Sequence, residues 1–231
     1  MVRFAVLSDI HSNLDALEAV IKQLPEYDEL LCLGDLVGYG PQPNEVVERL
    51  KDLRPAVVLM GNHDYAVATG DTDGFSENAA RAVGWTRGRI REEHRQYLAT
   101  LQPKAKLERD GTTLGLYHAS PRAPLTEYIY PGMPDVSARA LIGLARAKVL
   151  LLGHTHIPMV YAFDDSMLAN PGSVGQPRDA DPRASFAALT ITDHNLEFKI
   201  RRVEYDVDSV AKKIRDSDLP RFLAERLYIG A

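Results

Sequence analysis

Five short apolar runs of this chain each end in a polar cluster, and this repetition constrains the fold more than any other feature. The clusters occupy residues 8–11, 34–40, 61–64, 117–118 and 153–156. Short apolar runs bounded by turn residues are typical of buried strands. Because the ligands of open α/β sheets bind beyond the carboxyl ends of the strands, we expect the five clusters to converge on one crevice.

The pattern along the whole chain predicts an α/β fold. In the first part we predict strands over 3–8, 29–33 and 56–60, helices over 13–24 and 44–53, and a helical segment over 77–101 broken only at Gly84 and Gly88. Further on we predict strands over 105–108, 112–118, 148–152, 185–192 and 196–202, and helices over 135–145, 206–216 and 220–229. Strand–helix repetition with short connections indicates a parallel sheet covered by helices. Strands near both ends of the chain predict two sheets packed face to face, in one domain over 1–231.

The composition is that of an ordinary folded protein. The 231 residues are 45% hydrophobic and 26% charged, which excludes intrinsic disorder, a collagen-like repeat and a coiled coil. Cys32 is the single cysteine, so an internal disulfide and a cysteine-based zinc cluster are excluded. No apolar run approaches the roughly 20 residues of a membrane helix, and the N-terminus lacks a signal-peptide pattern. We therefore expect a cytoplasmic protein with no membrane partner.

The charge balance bears on the class of ligand. The chain has 27 basic and 32 acidic residues, a net charge of −5 at pH 7. Proteins that bind long nucleic acids tend to be basic, with a stripe of Lys and Arg along one face. A long nucleic acid is therefore not an expected partner, whereas a small phosphorylated compound remains compatible with the charge.

The polar clusters contain side chains that bind transition metals. Carboxylate and imidazole groups are ligands for Mn, Fe, Zn, Co or Ni. Five of the seven histidines lie in the clusters, whereas His94 and His194 lie outside them and are interpreted as surface or packing residues. Taken singly, each cluster residue is more often a turn, a cap or a hydrogen-bonded structural residue. Together they exceed what one ion needs, and two ions roughly 3.5–4 Å apart that share a carboxylate would use them all.

The clusters match a known family in their order and spacing. The segments that carry the match are Asp9-x-His11, Gly34-Asp35, Gly61-Asn62-His63-Asp64, His118 and Gly153-His154-Thr155-His156. They resemble the motifs of the calcineurin-like metallophosphoesterase superfamily. Residues 170–178 resemble a late strand–turn motif of its bacterial small-phosphoesterase branch. The resemblance implies a four-layer α/β/β/α sandwich with two central mixed β-sheets.

The resemblance also implies two divalent metal ions, whose identity among Mn, Fe, Zn, Co and Ni is left open. One ion would be held by Asp9, His11, Asp35 and His156, and the other by Asp35, Asn62, His118 and His154, with Asp35 as the bridging carboxylate. A hydroxide bridging the two ions would attack phosphorus in line, and the ions would stabilise the charge of the transition state. His63 is not a ligand in the family pattern, and we expect it to be the general acid that protonates the leaving oxygen.

One cluster departs from the pattern of two related groups. Serine/threonine phosphoprotein phosphatases and symmetrical dinucleotide tetraphosphatases carry Gly-Asp-x-Val-Asp-Arg-Gly where this chain has residues 34–40. Gly38 replaces the second acid, which orients the catalytic histidine, and Tyr39 replaces the arginine that clamps phosphate. A protein phosphatase is therefore disfavoured. Asp64 is predicted to take part in catalysis by orienting His63, and a turn role for Asp64 is an equal alternative.

Three other residues are predicted to contact substrate. Arg122 and Arg178 lie in loops near the clusters, and the guanidinium fork suits phosphate. Tyr128 is predicted to wall the pocket and stack on a base, or else to pack within an edge strand. The predicted function is hydrolysis of a small phosphorylated compound, such as a nucleotide, a phosphodiester or a dinucleoside polyphosphate.

Two alternatives and one structural question stay open. A scaffold subunit of the retromer coat shares this fold and binds partners without efficient catalysis, so a binding module is the first alternative. A nuclease is the second, and the acidic net charge counts against it. The predicted helices from Asp206 onward would either cap the core or pair with a second copy in a homo-oligomer.

Overall fold

The computed structural model describes residues 1–192 and 195–231, so the predicted surface or packing role of His194 lies outside the described residues. The strands are β1 (Val2–Leu7), β2 (Glu29–Cys32), β3 (Val57–Val58), β4 (Lys104–Arg109), β5 (Thr112–Tyr117), β6 (Val149–Leu151), β7 (Met159–Ala162), β8 (Met167–Asn170), β9 (Ala184–Ile191) and β10 (Leu196–Val203). The helices are α1 (Leu14–Ile21), α2 (Pro43–Asp52), α3 (Asn62–Thr69), α4 (Glu77–Arg87), α5 (Glu92–Thr100), α6 (Asp135–Ala145), α7 (Val207–Arg215) and α8 (Phe222–Glu225), followed by a 3-10 turn, Arg226–Tyr228.

The strands form two mixed five-stranded sheets. The first has the order β10-β9-β1-β2-β3, and the second has the order β4-β5-β6-β8-β7. In the first sheet β1, β2 and β3 are parallel, and β9 runs antiparallel to β1. In the second sheet β5, β6 and β8 are parallel, and antiparallel β4 and β7 form the two edges. Each sheet thus has a parallel centre whose strands point the same way, which confirms the predicted class of two mixed sheets.

Alternation along β1 divides its side chains between two cores, because successive residues of a strand point to opposite faces. Phe4 and Val6 are buried between the sheets with residues of β5, β6 and β8. Ala5 and Leu7 are buried against α1, α2, α3 and α5. On the far side of the second sheet, a further core joins Leu150 and neighbouring strand residues to α6. The layers are therefore helices, sheet, sheet and helix, and the predicted four-layer sandwich is confirmed.

Four local predictions differ from the structure, the last being the helix over 220–229, which is only Phe222–Glu225 followed by the 3-10 turn. The strand predicted over 56–60 is only Val57–Val58, because it pairs with β2 through just Leu31 and Cys32. Helix α3 was not predicted, because it starts at Asn62 inside a polar cluster and has no apolar periodicity to signal it. The helical segment over 77–101 is two helices that separate after Gly88, whereas Gly84 lies inside α4, where a single glycine costs only about 1 kcal/mol.

The C-terminal helices pack on their own chain. Val210 and Ile214 of α7 and Leu223 of α8 share a core with Ala82 of α4 and with Tyr39, which lies in the loop after β2. This packing places the C-terminal segment beside one of the polar clusters. Among the helices of the described ranges, none is long and apolar enough to cross a membrane.

Candidate metal centre and active site

The ends of β1, β2 and β6 bring four buried side chains together. Ligand atoms of Asp9, His11, Asp35 and His156 all lie within 4.8 Å of one another. Nε2 of His11 lies 3.0 Å from Nε2 of His156 and 3.5 Å from Oδ2 of Asp35. Nε2 of His156 lies 3.4 Å from Oδ1 of Asp9. Two imidazoles and two carboxylates at these distances form a site for one transition-metal ion.

A second group shares Asp35 with the first. Asp35, His118 and His154 also place ligand atoms within 4.8 Å of one another. Oδ2 of Asp35 lies 3.5 Å from Nε2 of His118, the same distance that separates it from His11. Oδ1 of Asn62 lies 3.1 Å from Nε2 of His118 and 3.0 Å from Nδ1 of His154. The seven predicted ligand residues therefore lie in two adjacent groups that meet at one carboxylate.

The position of the proton on three of the imidazole rings leaves the other ring nitrogen free to bind a metal ion. Nδ1 of His11, His118 and His156 lies 3.1, 2.8 and 2.6 Å from the main-chain oxygens of Val37, Leu33 and Gln176. A carbonyl oxygen only accepts, so each Nδ1 carries the proton and each Nε2 presents a lone pair. The lone pairs of His11 and His156 face each other, and buried Oδ1 of Asp9 meets no hydrogen-bond donor within the described ranges. Divalent cations satisfy all of these atoms, so the residues present fit two metal ions.

The pKa values of the buried ligand side chains also fit a metal site. Burial raises the pKa of Asp9 and of Asp35 to about 7, because a buried carboxylate loses its hydration. Burial also lowers the pKa of His154 to about 2 and that of His118 below its usual value. The imidazoles are therefore neutral ligands, and the carboxylates need a nearby cation to be stable as anions.

The chain turns sharply where it carries the ligands. Five of the ligand residues, namely Asp9, His11, Asp35, His154 and His156, have φ between 49° and 66°. Non-glycine residues pay about 1–3 kcal/mol each for such backbone, and they concentrate at functional sites. Glycine is needed where chains approach closely, because a Cβ at Gly61 would lie 2.0 Å from Oδ1 of Asp35. Strained turns and close approach together aim the side chains into the crevice.

The late strand–turn segment supports the ligand loops from behind. Nδ2 of Asn170 donates to the main-chain oxygen of Gly153 at 2.7 Å. Oγ of Ser173 donates to the main-chain oxygen of Asp9 at 2.7 Å. The segment that resembles the bacterial motif is thus hydrogen-bonded to the loops that carry Asp9 and His154.

His63 lies beside the metal-ligating groups, and its imidazole packs against three other rings. Its imidazole packs against Tyr39 at 4.2 Å, Phe75 at 4.8 Å and His11 at 4.9 Å between ring centroids. Its Nδ1 is buried without a hydrogen-bond partner in the described parts of the chain. Gly38 has φ +88°, and a Cβ there would lie 2.5 Å from that Nδ1. A side chain at position 38 would therefore collide with the His63 imidazole.

Asp64 is bonded to main-chain amides. Its Oδ1 accepts from the N–H groups of Leu36 at 2.9 Å and Val37 at 3.1 Å, and its Oδ2 accepts from Gly61 at 2.9 Å. These bonds join the loop after β2, which carries Asp35, to the start of α3. Asp64 is thus placed to position the loop, and its predicted part in orienting His63 remains a prediction.

A cleft of about 540 Å³ opens beside the metal-ligating groups. It is lined by Asn62, His63, Tyr128, His154 and Arg178, and also by Arg226, which the sequence reasoning missed. Arg226 was not predicted because it belongs to no polar cluster. Its position follows only from the packing of the C-terminal helices. The volume lies within the roughly 300–1,000 Å³ of small-molecule sites.

Two of the predicted substrate contacts share this cleft and the third does not. Arg178 lies 5.7 Å from the centre of the Tyr39 ring, and the Tyr128 ring packs on His154 at 4.2 Å. Arg122 instead forms an ion pair with Glu127 at 2.5 Å and lines a neighbouring depression of about 680 Å³. Tyr128 lines both spaces and so forms the wall between them.

Comparison with known proteins identifies the family. A profile of the calcineurin-like phosphoesterase superfamily domain matches residues 2–194. The chain is 36% identical over 245 residues to the uncharacterized protein MJ0912 of Methanocaldococcus jannaschii, covering 98% of this chain and 97% of that protein. It is 27% identical over 202 residues to the probable metallophosphoesterase MJ0623 of the same organism, covering 86% and 80%. The crystal structure of a metallophosphoesterase from Sphaerobacter thermophilus matches with a TM-score of 0.85 at 35% identity, covering 100% and 99%.

The profile match contains every predicted metal ligand and all strands of both sheets except β10. The two buried Asp/His groups have the ligand types and spacing that can hold two metal ions. The chain therefore belongs to the calcineurin-like phosphoesterase superfamily and is a metal-dependent phosphoesterase.

Proposed function

We propose that the protein hydrolyses a phosphate ester or anhydride of a small nucleotide-like compound at a dinuclear metal site. The observation that carries the proposal is the position of Asp35, whose Oδ2 lies 3.5 Å from Nε2 of His11 and 3.5 Å from Nε2 of His118. A carboxylate shared between two ligand groups is the arrangement of two-metal phosphoesterases. The adjoining cleft is large enough for a nucleotide.

The metal ligands and the residues that line the cleft have different roles in the proposed reaction. Two divalent ions bound there supply hydroxide at neutral pH and offset the charge of the phosphoryl oxygens. His63 lines the cleft, and we assign it the proton that the leaving oxygen needs. Asp64 is a positioning residue in this proposal, because its two oxygens join the loop of Asp35 to α3.

Three residues outside the ligand set are proposed to bind substrate. Arg178 binds a phosphoryl group, because its guanidinium lines the cleft and forms no ion pair with Asp or Glu in the described ranges. Tyr128 walls the cleft and offers its ring to a base. Arg122 lines the neighbouring depression and would contact only a substrate that extends past Tyr128.

The proposal treats residues 1–231 as one unit, because strand ends near the N-terminus and Arg226 near the C-terminus line one cleft. Mn²⁺ is the proposed first ion to supply, since the carboxylate and amide oxygens of the ligand set suit it. The acidic net charge and the buried thiol of Cys32 support a cytoplasmic setting and a small substrate. The C-terminal helices cover their own chain, so pairing with a second copy would have to use their outer faces.

A substrate panel with Mn²⁺ tests the proposal. It compares a phosphodiester (bis-p-nitrophenyl phosphate), a monoester (p-nitrophenyl phosphate) and a dinucleoside polyphosphate, with metal content measured in parallel. We expect turnover of at least one substrate, and loss of that turnover with a chelator. Bound metal with no turnover of any substrate would favour the binding-module alternative.

A further inference from the structure

Arg226 is a second cation in the cleft, supplied by the C-terminal segment. It begins the 3-10 turn after α8, between the buried side chains of Ala224 and Leu227. Its guanidinium lies 6.0 Å from the centre of the Tyr39 ring, and that of Arg178 lies 5.7 Å from the same ring. Both arginines line the cleft with Asn62 and His63. The two guanidinium groups therefore meet the same ring at the edge of the metal centre.

Within the described residues neither guanidinium forms an ion pair with Asp or Glu, although the charge of Arg178 acts at longer range on Asp9 and Asp35. Nη2 of Arg178 donates to the Tyr39 hydroxyl at 3.4 Å and to Oε1 of Gln176 at 3.2 Å. Nε of Arg226 donates to the main-chain oxygen of Ala231. By contrast, Arg202 and Arg183 pair with Asp179 and Asp181, and Arg122 pairs with Glu127.

The arginine pair is a costly arrangement without an anion. Partial burial, together with the positive charge of Arg178, lowers the pKa of Arg226 to about 10. Two like charges that face one cleft repel each other, and a bound anion removes that cost. Asp73 also lines the cleft, but it lies at the exposed rim.

The Tyr39 ring links the arginine pair to His63. The Tyr39 ring contacts His63 at 4.2 Å and also lies beneath both guanidinium groups. His63 directly follows the ligand residue Asn62, so the arginine pair lies in the cleft beside the metal-ligating groups. A leaving group that carries its own phosphate would be held by both arginine forks.

We propose that Arg178 and Arg226 bind a second phosphoryl group, so that the preferred substrate contains a diphosphate linkage, as in a nucleoside polyphosphate. This inference rests on the proposed function. In the hydrolysis, the oxygen of hydroxide would bond to one phosphorus while the bond from that phosphorus to the bridging oxygen would break. The leaving phosphate keeps the electron pair and, because its pKa is about 6, needs no proton at neutral pH.

The proposed second-phosphate site uses a residue outside the region that the superfamily profile matches. The matched profile ends at residue 194. Arg226 lies beyond that residue, in the C-terminal segment that packs on Tyr39. Arg178 and Arg226 come from two separate segments of the chain, and both guanidinium groups lie over the Tyr39 ring.

Calorimetry with a matched pair of ligands tests the inference. The ligands are AMP and α,β-methylene-ADP, which differ in the second phosphate, and excess Mn²⁺ is present throughout. We expect wild type to bind α,β-methylene-ADP at least about tenfold more tightly than AMP, since charge-assisted hydrogen bonds are the strong ones. Arg226→Met is expected to remove most of that preference. Arg215→Met, an exposed arginine at the end of α7, is the control for lost charge and is expected to keep it.

Folding and activity are followed separately. Thermal denaturation checks that each variant folds, and Arg226→Lys, which keeps the charge but loses the fork, serves if methionine disturbs the C-terminal packing. A folded Arg226 variant with the full preference, or a wild type with no preference, overturns the second-phosphate site. Hydrolysis of p-nitrophenyl phosphate by wild type reports on the proposed function alone. Activity on that ester without a preference for the diphosphate therefore leaves the proposed function intact and rejects the arginine pair.

Discussion

Nε2 of His11 lies 3.0 Å from Nε2 of His156, and both rings donate from Nδ1 to main-chain oxygens. Two buried lone pairs at that separation repel unless a cation lies close to both. This repulsion destabilises the folded protein when metal is absent, and metal binding removes it. The first two predictions follow from this relationship.

Removal of metal is expected to destabilise the protein. Ions that bind only the folded state stabilise it by about 4 kcal/mol at a concentration 1,000 times the dissociation constant. For a chain of this size that corresponds to a fall in Tm of roughly 8–16 °C when a chelator is added. Differential scanning calorimetry with Mn²⁺ and then with EDTA measures the shift. An unchanged Tm, with metal analysis confirming removal, would contradict the proposed role of the ligand cluster.

Asp35→Asn is expected to affect both metal positions. Its carboxylate lies within 3.5 Å of ligands from each group, so its loss weakens both ions at once. Asp9→Asn is expected to weaken only the first position, because Asp9 belongs to one group. Elemental analysis after dialysis measures the number of ions per chain. Asp216→Asn, at an exposed position after α7, is the control. Equal metal loss in the Asp35 and Asp9 variants would argue against a shared carboxylate.

His63→Asn is expected to lose activity while keeping its metals. A positioned general acid contributes about 10²–10⁴-fold, and most of that loss should appear with a poor leaving group such as an alcohol. With p-nitrophenol as leaving group the loss should be much smaller, because that oxygen needs no proton. Steady-state kinetics on both substrates measures the difference. His94→Asn is the matched histidine control, since His94 bonds to Asn44 on another side of the fold. A wild-type rate on the poor leaving group would end the assignment.

Gly38→Asp is expected to reduce activity, although it restores the acid of related enzymes. The backbone at Gly38 has φ +88°, and a Cβ there would lie 2.5 Å from Nδ1 of His63. We expect a loss of stability of about 1–3 kcal/mol from the strained backbone and displacement of His63. Denaturant unfolding and kinetics measure the two effects. Gly84→Ala is the matched control, because its Cβ would meet nothing within 4 Å, and it should stabilise α4 by about 0.5–1 kcal/mol. A gain in activity for Gly38→Asp would show that the loop relaxes easily.

Much of the fold and of the metal site was predictable because strand ends are local signals. The apolar runs before Asp9, Asp35 and His118 are short and β-like, and parallel strands place their carboxyl ends at one edge. Helix α3 was missed because its first turn is built from the polar residues Asn62 and His63. The amide contacts of Asp64 were equally invisible, since they join loops that are distant in the chain.

The sequence by itself determined the class of fold, the two-metal ligand types and the superfamily, because these depend on residue identity, order and local periodicity. Only the tertiary structure decided which cations meet the metal centre. Arg122, close in sequence to a ligand, pairs with Glu127, whereas distant Arg226 reaches the Tyr39 ring. The physical reason is that burial of apolar helix faces set the course of the C-terminal segment. The position of a charged side chain on that segment follows from its packing and leaves no local pattern in the sequence.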